Sequence, residues 1–282
     1  MRGNGLTPPW LGALPGLALG ILFLVPFAIM LTVSVAIREP GGFYQPGFDL
    51  ASYGRFLTPF FGSILLTSVA IAAGAALICV TLALPFVVFL ATMGRRAQTV
   101  ILVVLLSVLS LSEVIIGFAV STLLSRTAGI GNVLAWAGMI AEPRAYTPGL
   151  FALMTGLCYL AFPYTVLVLY PAVSRLDPDL PEAARVMGAS PLRTFFTVTL
   201  PALRPAILGT LILAFVFVLG AFLLPQVLGQ PRHWTLSVHI TDQAVYQSNL
   251  PFAAAMAVFL LLVSLAMVGL TLLLARERGA AP

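Results

Sequence analysis

The chain has 282 residues, of which 60% are hydrophobic and only 8% are charged, and its formal net charge is +5 at pH 7. A soluble protein has about a quarter of its residues charged, so this composition excludes an ordinary soluble domain and indicates a membrane protein. All fourteen basic residues are arginine. The lack of lysine excludes an ordinary P-loop, whose lysine reaches the β- and γ-phosphates, and it excludes Schiff-base catalysis. If ATP drives this protein, another chain must bind it.

Six apolar segments are long enough to cross a bilayer as helices, because a hydrocarbon core of ~30 Å requires ~20 helical residues. They are residues 11–37, 62–91, 99–123, 149–173, 205–228 and 251–275. We therefore predict an all-α membrane protein with six transmembrane helices, forming a single transmembrane domain over residues 1–282. The first segment is much longer than the apolar part of a signal peptide and lacks an Ala-x-Ala-like site, which predicts a retained helix.

The positions of the arginines predict the orientation. With the N-terminus inside, nine arginines lie on the cytoplasmic side and five on the opposite side, a moderate positive-inside bias. The cytoplasmic set is Arg2, Arg95, Arg96, Arg175, Arg185, Arg193, Arg204, Arg276 and Arg278. The opposite set is Arg38, Arg55, Arg126, Arg144 and Arg232. Both termini and the polar loop 174–204 are thus predicted to be cytoplasmic.

Three loops are predicted on the far side of the membrane, at residues 38–61, 124–148 and 229–250. In the first, Tyr53-Gly-Arg-Phe-Leu57 suggests a short interfacial helix. In the second, Gly129-Ile-Gly-Asn-Val-Leu134 suggests a partial helix at the membrane face.

The polar loop contains the signals of two short helices. Asp179 followed by Glu182 is a capping-box pattern, which predicts a first helix with Asp179 as its N-cap. Gly188 suits the C′ position after that helix. On these local patterns alone, the loop is either an amphipathic connector resting on the membrane interface or a docking element for a partner.

The second helix of this loop is predicted to begin at Ser190 and Pro191, with serine as the N-cap and proline in the first turn. Pro201 and Pro205 are expected to end it before the fifth membrane helix.

The loop resembles the EAA loop of binding-protein-dependent ABC importer permeases. The shared pattern is Glu182-Ala183-Ala184, then Gly188, then nine residues to Val198-x-Leu200-Pro201, with Val198 in place of the usual isoleucine. Other stretches are similar to the spermidine/putrescine-type permeases of this group: Gly220-Ala-Phe-Leu-Leu-Pro-Gln-Val-Leu-Gly229, Tyr53-x-Arg-Phe-Leu57 and Phe162-Pro163-Tyr164. Ser112-Glu113-Val114 resembles a Pro-Glu-Val pattern in which serine replaces proline.

The resemblance implies a type I ABC importer permease fold in a bacterial inner membrane, with residues 174–204 as the loop that couples to the ATPase. The coupling residues it implies are Glu182, Ala183, Ala184, Gly188, Ala189, Ser190, Leu200 and Pro201. Glu182 would fix the loop and pair near the ATPase surface, the two alanines would allow close approach, and Gly188 would make the bend.

The implied partners are ABC ATPase subunits, a second permease subunit, an extracytoplasmic solute-binding protein and the lipid bilayer, with no nucleic acid. The chain itself would bind no cofactor, because ATP and magnesium would be used by the ATPase. The implied cargo is a small polar solute, most strongly a polyamine.

Glu113 is the only acidic residue well inside a predicted span. A charge there costs ~2.5–3.5 kcal/mol on insertion scales, so the side chain should face protein or water. It would line a path for a cationic solute, or it would be a structural carboxylate bonded to a neighbouring helix, or a residue at the gate.

Further pathway candidates lie in the fourth and fifth helices. Broken helix ends often line transport pathways, although glycine is equally explained by helix packing and aromatic residues at helical spacing usually pack. These candidates are Gly220, Phe222, Pro225, Tyr159 and Phe162.

Two other functional classes compete with the importer. A secondary transporter or channel acting without ATP usually keeps several intramembrane charges, and only one is evident here. A membrane-embedded enzyme would need a catalytic motif, but the sequence contains neither HExxH nor Gly-x-Ser-x-Gly. Cys79 and Cys158 lie far apart in sequence without metal-ligand spacing, so no metal site is expected and both fit buried apolar positions.

Overall fold

A computed structural model describes residues 10–39, 42–127 and 129–277, and for residues 10–15, 57 and 270–277 it describes only the backbone. This part of the chain is almost entirely helical, and Ile37 and Gln45 form a single antiparallel bridge in it. In chain order the helices are α1 (Trp10–Ser34), α2 (Ala51–Gly54), α3 (Pro59–Thr92), α4 (Arg95–Leu109), α5 (Glu113–Leu123), α6 (Ile130–Trp136), α7 (Leu150–Ser174), α8 (Asp179–Val186), α9 (Pro191–Thr194), α10 (Leu200–Ala202), α11 (Arg204–Gly220), α12 (Leu223–Leu228), α13 (Leu236–Thr241) and α14 (Leu250–Glu277).

Four of the described helices, α1, α3, α7 and α14, are long and apolar enough to cross a membrane, and the count rises to six if each of two bent helix pairs is one span. The all-α membrane fold is therefore confirmed, whereas six spans is the upper limit of this count. The predicted orientation stays a prediction. Three arginines on which it rests, Arg2, Arg276 and Arg278, lie outside the residues whose side chains are described.

The third predicted segment, residues 99–123, is not one continuous helix. It consists of α4 and α5, which meet at an angle of 94°. Ser112 at the break has an extended backbone, and its hydroxyl accepts a hydrogen bond from the Val114 N–H at 3.3 Å, so it caps a new helix. Serine side chains compete with helical hydrogen bonds in this way, and an average over hydropathy does not register the competition.

The fifth predicted segment, residues 205–228, is also interrupted. Helix α11 ends at Gly220, Ala221 is extended with ψ of 131°, and α12 then begins at Leu223. The pathway candidates Gly220 and Phe222 therefore lie at a complete break between two helices.

The chain divides into two compact units. The first contains the described part of Met1–Gly62 together with His239–Leu262. The predicted short helix near Tyr53 is present here as α2, followed by a 3₁₀ turn. The Tyr53 hydroxyl donates to Ser34 Oγ at 2.7 Å, and the Phe56 ring stacks on Phe259 with 4.9 Å between centroids. Tyr53 and Phe56 thus attach α2 and the 3₁₀ turn to α1 and α14.

The second unit contains Ser63–Val238 and Val263–Pro282, as far as these are described. One cluster of its core lies between α3, α4, α7 and the start of α11, and the buried side chains of this cluster are Ala83, Leu84, Val87, Leu105, Val166, Leu169, Val173 and Leu203. Cys79 is fully buried and its thiol donates to the Cys158 carbonyl oxygen at 3.7 Å, which agrees with the packing role predicted for it. The partial helix predicted near residue 129 is α6.

Candidate functional site

The polar loop folds as two short helical stretches that join at Gly188. Gly188 has a φ of +87°. Its N–H donates to the Arg185 carbonyl at 2.9 Å, and the Ala189 N–H donates to the Ala184 carbonyl at 3.0 Å. This pair of bonds is the Schellman motif, which satisfies the last carbonyls of a helix and requires the left-handed conformation at the glycine. The predicted position of Gly188 after the first helix is therefore confirmed.

The predicted N-cap of the first helix was wrong. Asp179 is the first residue of α8 and does not precede it, and the N-cap residue, Pro178, offers no side-chain hydrogen bond. The capping carboxylate comes from Asp177, whose Oδ1 accepts from the Asp179 N–H at 3.0 Å. Proline at 178 already has helical dihedrals, so the helix begins earlier than the capping-box pattern indicated. Asp179 and Glu182 both lie in the first turn, where they complement the positive helix end.

The start of the second stretch was predicted correctly, because Ser190 Oγ accepts from the Arg193 N–H at 3.3 Å and Pro191 follows it. Its predicted end was wrong. The chain stays helical through Ala202 and bends by 73° only at Leu203. Residues Phe195–Thr199 form a wider π-helical turn. Pro201 then lies at the start of α10, where its missing N–H costs little.

The two alanines of the loop face in different directions. Ala184 is buried, with 6% exposure, whereas Ala183 is exposed. The small side chain of Ala184 therefore lets α8 pack closely against the rest of this subunit. Ala183 lies on the opposite face of α8, which is exposed. Large apolar side chains are also exposed on this loop, and we call them the exposed loop residues: Leu180, Val186, Met187, Leu192 and Phe196.

A cavity of about 730 Å³, which we call the inner cavity, lies between α8, α9 with the π-helical turn, and the ends of α3, α4 and α7. Glu182 and Arg185 of α8 line this cavity. On its far wall the Tyr170 hydroxyl donates to Gln98 Oε1 at 2.7 Å, and Gln98 Nε2 donates to the Met93 carbonyl at 2.8 Å. These bonds fasten the start of α4 to α3 and α7. Glu182 is thus placed on the side of α8 that faces its own chain.

The two broken helices meet at Glu113. Glu113 was predicted well inside a continuous span, but it is the first residue of α5. Its carboxylate is hydrogen-bonded by the backbone of Leu223, the first residue of α12. The other oxygen, Oε2, is buried and has no hydrogen-bond partner among the described residues. Because the N-terminal ends of helices carry partial positive charge, the carboxylate is placed where two helix ends favour a negative group.

Helix α12 packs closely on α5 and α7 through two glycines. A Cβ built on Gly156 of α7 would lie 2.5 Å from Leu228 Cδ1, whereas a Cβ on Gly117 of α5 would lie 3.6 Å or more from Leu224 and Val227. Any side chain at position 156 would therefore require the Leu228 methyl group to move. Sequence analysis missed Gly156 and Leu223 because their role depends on the break in the fifth helix.

The remaining pathway candidates are dispersed. Phe222, at the break between α11 and α12, is 39% exposed, and Gly220 beside it has open space around its Cβ position. Tyr159 on α7 is 45% exposed. Pro225 is buried within α12, and Phe162 packs edge-to-face on Phe86 at 5.7 Å. The structure thus brings Glu113, Gly220 and Phe222 to the helix breaks, and places Phe162 and Pro225 in packing positions.

A histidine lies in the loop that follows α12. His233 Nδ1 accepts a hydrogen bond from the Gln230 N–H at 3.4 Å, and Gln230 Nε2 donates to the Pro148 carbonyl at 3.1 Å. Burial lowers the pKa of His233, and the neighbouring Arg232 lowers this pKa further. The neutral imidazole, which can accept the Gln230 hydrogen bond, is therefore the favoured form.

Comparison with known proteins agrees with this architecture. The chain is 30% identical over 246 residues to the spermidine/putrescine transport system permease protein PotB of Escherichia coli, covering 86% of this chain and 89% of that protein. The corresponding protein of Haemophilus influenzae is 25% identical and covers 83% of this chain and 82% of its own length. These relatives are permease subunits, so the chain is a transporter subunit and not an enzyme.

Solved structures share the fold. A bacterial ABC transporter involved in the import of the acidic polysaccharide alginate matches with a TM-score of 0.77 at 18% identity, covering 95% of this chain and 94% of that chain. An amino acid ABC transporter solved with histidines matches with a TM-score of 0.54 at 20% identity, covering 82% of this chain and 99% of that chain. Residues 11–279 match the protein family described as the inner membrane component of binding-protein-dependent transport systems. The chain therefore belongs to this family and is a multi-pass permease subunit of an ABC importer.

Proposed function

We propose that this chain forms half of the translocation pathway for a polyamine-like cation in a bacterial cytoplasmic membrane. The observation that carries the proposal is the 30% identity to a spermidine/putrescine permease over 86% of the chain. The cargo class also agrees with the chemistry at the helix breaks, where Glu113 supplies a carboxylate with one buried oxygen that has no partner among the described residues. A solute with several ammonium groups can replace lost hydration by such an oxygen.

In this proposal, Glu113 contacts the solute at the break between α4 and α5, and Gly220 and Phe222 form the adjoining part of the pathway. Tyr159, with 45% of its surface exposed, is a further proposed pathway residue on α7. We assign Phe162 and Pro225 to the packing that supports this region, because Phe162 contacts Phe86 and Pro225 is buried.

The polar loop is the proposed contact with a separate ATPase, which uses ATP and magnesium while this chain binds neither. The exposed face of α8, with Ala183, Val186 and Met187, would enter a groove on the ATPase. Gly188, Ala189 and Ser190 keep α8 at a fixed angle to the helix that follows, and Leu200 and Pro201 connect that helix to α11. A rigid element of this kind transmits a movement of the partner only if both states of the partner bias it differently.

Two further partners complete the proposed importer. A second permease subunit, identical or different, supplies the other half of the pathway. An extracytoplasmic solute-binding protein docks on the loops predicted on the far side, residues 38–61, 124–148 and 229–250. No described feature favours the alternative of a secondary transporter or channel acting without ATP, and the experiment below distinguishes it.

The test is to purify the full-length subunit with its associated chains and to reconstitute the complex in liposomes with the solute-binding protein. We expect an ATPase to copurify, and we expect spermidine or putrescine to stimulate ATP hydrolysis and ATP-dependent uptake. Amino acids, phosphonate and iron, tested in parallel, should not stimulate either activity. Uptake by this chain alone without ATP would refute the importer, and stimulation by another solute would refute only the cargo class.

A further inference from the structure

The inner cavity lies where three candidate membrane spans end together. Its lining includes Thr92 at the end of α3, Arg95 at the start of α4 and Ser174 at the end of α7. Spans end where the hydrocarbon core meets the head-group layer of a bilayer. A cavity at this level is therefore accessible to phospholipid head groups, and its volume of about 730 Å³ lies within the roughly 300–1,000 Å³ that is typical of small-ligand sites.

The start of α4 has an electrostatic conflict that an anion would relieve. The N-cap residue is Gly94, which provides no side-chain hydrogen bond, and the first turn contains Arg95 and Arg96 with no acidic residue. The first N–H groups of a helix have no partners within the helix, and they carry partial positive charge. Two arginines at this end add to the same charge, so the free energy of this 15-residue helix favours a bound anion here.

The wall formed by the polar loop supplies two carboxylates and a further arginine. Asp177 and Glu182 line the cavity together with Arg185. Thr194 also lines it and is only 2% exposed, and its hydroxyl oxygen is buried without a hydrogen-bond partner in the part of the chain that the structure describes. The cavity thus combines a phosphate-binding end with carboxylates that attract an ammonium group. Apolar side chains complete the lining: Val88, Leu102 and Val173.

We propose that the inner cavity binds the head group of a zwitterionic phospholipid that carries a phosphate and a primary ammonium group, as in phosphatidylethanolamine. The phosphate lies at the first turn of α4 and is held by Arg95, with Arg185 opposite. The ammonium group lies against Asp177 and Glu182, and the apolar wall receives the glycerol end. The lipid then bridges α4 and α8, so this membrane component contacts the loop that the preceding proposal assigns to the ATPase.

The test measures lipid retention by native mass spectrometry on the purified importer complex, and it compares Arg95→Gln with Arg96→Gln. Arg96 is in the same turn but does not line the cavity, so it is a matched control for the charge change. We expect phosphatidylethanolamine to remain bound to the unmodified complex and to Arg96→Gln. Retention by Arg95→Gln should fall about tenfold, the effect expected from losing one charge-assisted contact, and Arg95→Lys should restore part of it. Thr194→Val, which keeps the side-chain shape, provides a second variant with an expected smaller loss.

Competition experiments on the delipidated complex identify the source of the ligand. Phosphatidylethanolamine should bind more tightly than phosphatidylglycerol, which lacks the ammonium group, and more tightly than soluble phosphoethanolamine, which lacks the acyl chains. Equal binding of the two lipids would overturn the zwitterion, and equal binding of phosphoethanolamine would overturn the lipid source. Unchanged retention in both Arg95→Gln and Thr194→Val would overturn the site.

Discussion

Replacement of Gly188 tests whether the angle between the two stretches of the polar loop is set by the backbone. Gly188 has a φ of +87°, and no heavy atom lies within 4 Å of a Cβ built on it. Within this chain, alanine at this position would therefore contact no other residue. Its only cost would be the conformational free energy of the left-handed backbone, roughly 1–2 kcal/mol. That difference shifts an equilibrium by roughly 5–30-fold, toward a loop in which the Schellman bonds of Ala189 and Gly188 are broken.

Substitutions at position 188 can grade the cost of the left-handed conformation. Asparagine tolerates the left-handed region better than alanine, and a β-branched residue tolerates it worst. We expect substrate-stimulated ATP hydrolysis by the reconstituted complex to decrease in the order glycine, Asn, Ala, Val at position 188, while the amount of subunit in the membrane stays constant. Gly209→Ala is the control, because Gly209 lies within α11 with open space around it and no left-handed φ.

The order of the series also separates two explanations. If contact of the ATPase with position 188 were decisive, the larger asparagine would reduce activity more than alanine does. An activity that follows side-chain volume, or that is the same in all three variants, would refute the argument from backbone strain.

Three further predictions concern the helix breaks and the loop that follows α12. Gly156→Ala should lower the free energy of unfolding of the purified subunit by about 1–3 kcal/mol, as expected for an overpacked contact, because its Cβ would lie 2.5 Å from the fully buried Leu228. Gly117→Ala is the control and should have a much smaller effect. Glu113→Gln keeps an acceptor oxygen but removes the charge, so uptake of a polyamine should require about tenfold more solute at an unchanged amount of assembled complex. Hydrogen exchange of the Gln230 amide should accelerate below about pH 6.5, the ordinary pKa of histidine, after correction for the intrinsic rate.

The sign of the pH effect follows from the lowered pKa of His233. The unfolded loop binds a proton at a higher pH than the folded loop does, so folding stability is complete above the ordinary pKa and is lost as the pH falls toward the lowered one. His233→Ala should remove the pH dependence, and an unaltered dependence in that variant would assign it to another group.

Equal destabilisation by both glycine variants would contradict the packing argument, and unchanged uptake in Glu113→Gln would remove Glu113 from the pathway.

Composition and local motifs predicted the class of the protein and much of its polar loop. The high apolar content and six long segments indicated the all-α membrane fold, and the positions of Gly188 and Ser190 identified the turn and the second helix start. These features depend on residues close in sequence, which is why the pattern was sufficient. The N-cap prediction for α8 failed for a local reason, since Pro178 allowed Asp177 to cap the helix two residues earlier than the Asp179 pattern indicated.

The breaks within the third and fifth segments could not be predicted from apolar content. The break before Glu113 depends on the competition between the Ser112 hydroxyl and the helical backbone, and the backbone of Leu223 then supplies a partner for the Glu113 carboxylate. That partner is more than a hundred residues away in sequence, so only the folded chain brings the two groups together. The same holds for Gly156, whose need to be glycine arises from the Leu228 side chain.

The exposed loop residues have a consequence for the abundance of this subunit in the cell. Val186 and Met187 are 88% and 82% exposed, and α8 does not belong to any candidate span, so these apolar side chains lie outside the helices that could cross the membrane. Chaperones and proteases continuously remove proteins that present apolar surface to water. Subunits synthesised in excess of the ATPase that we propose to cover α8 are therefore expected to be degraded, which would let the supply of that partner set the steady-state level of this chain.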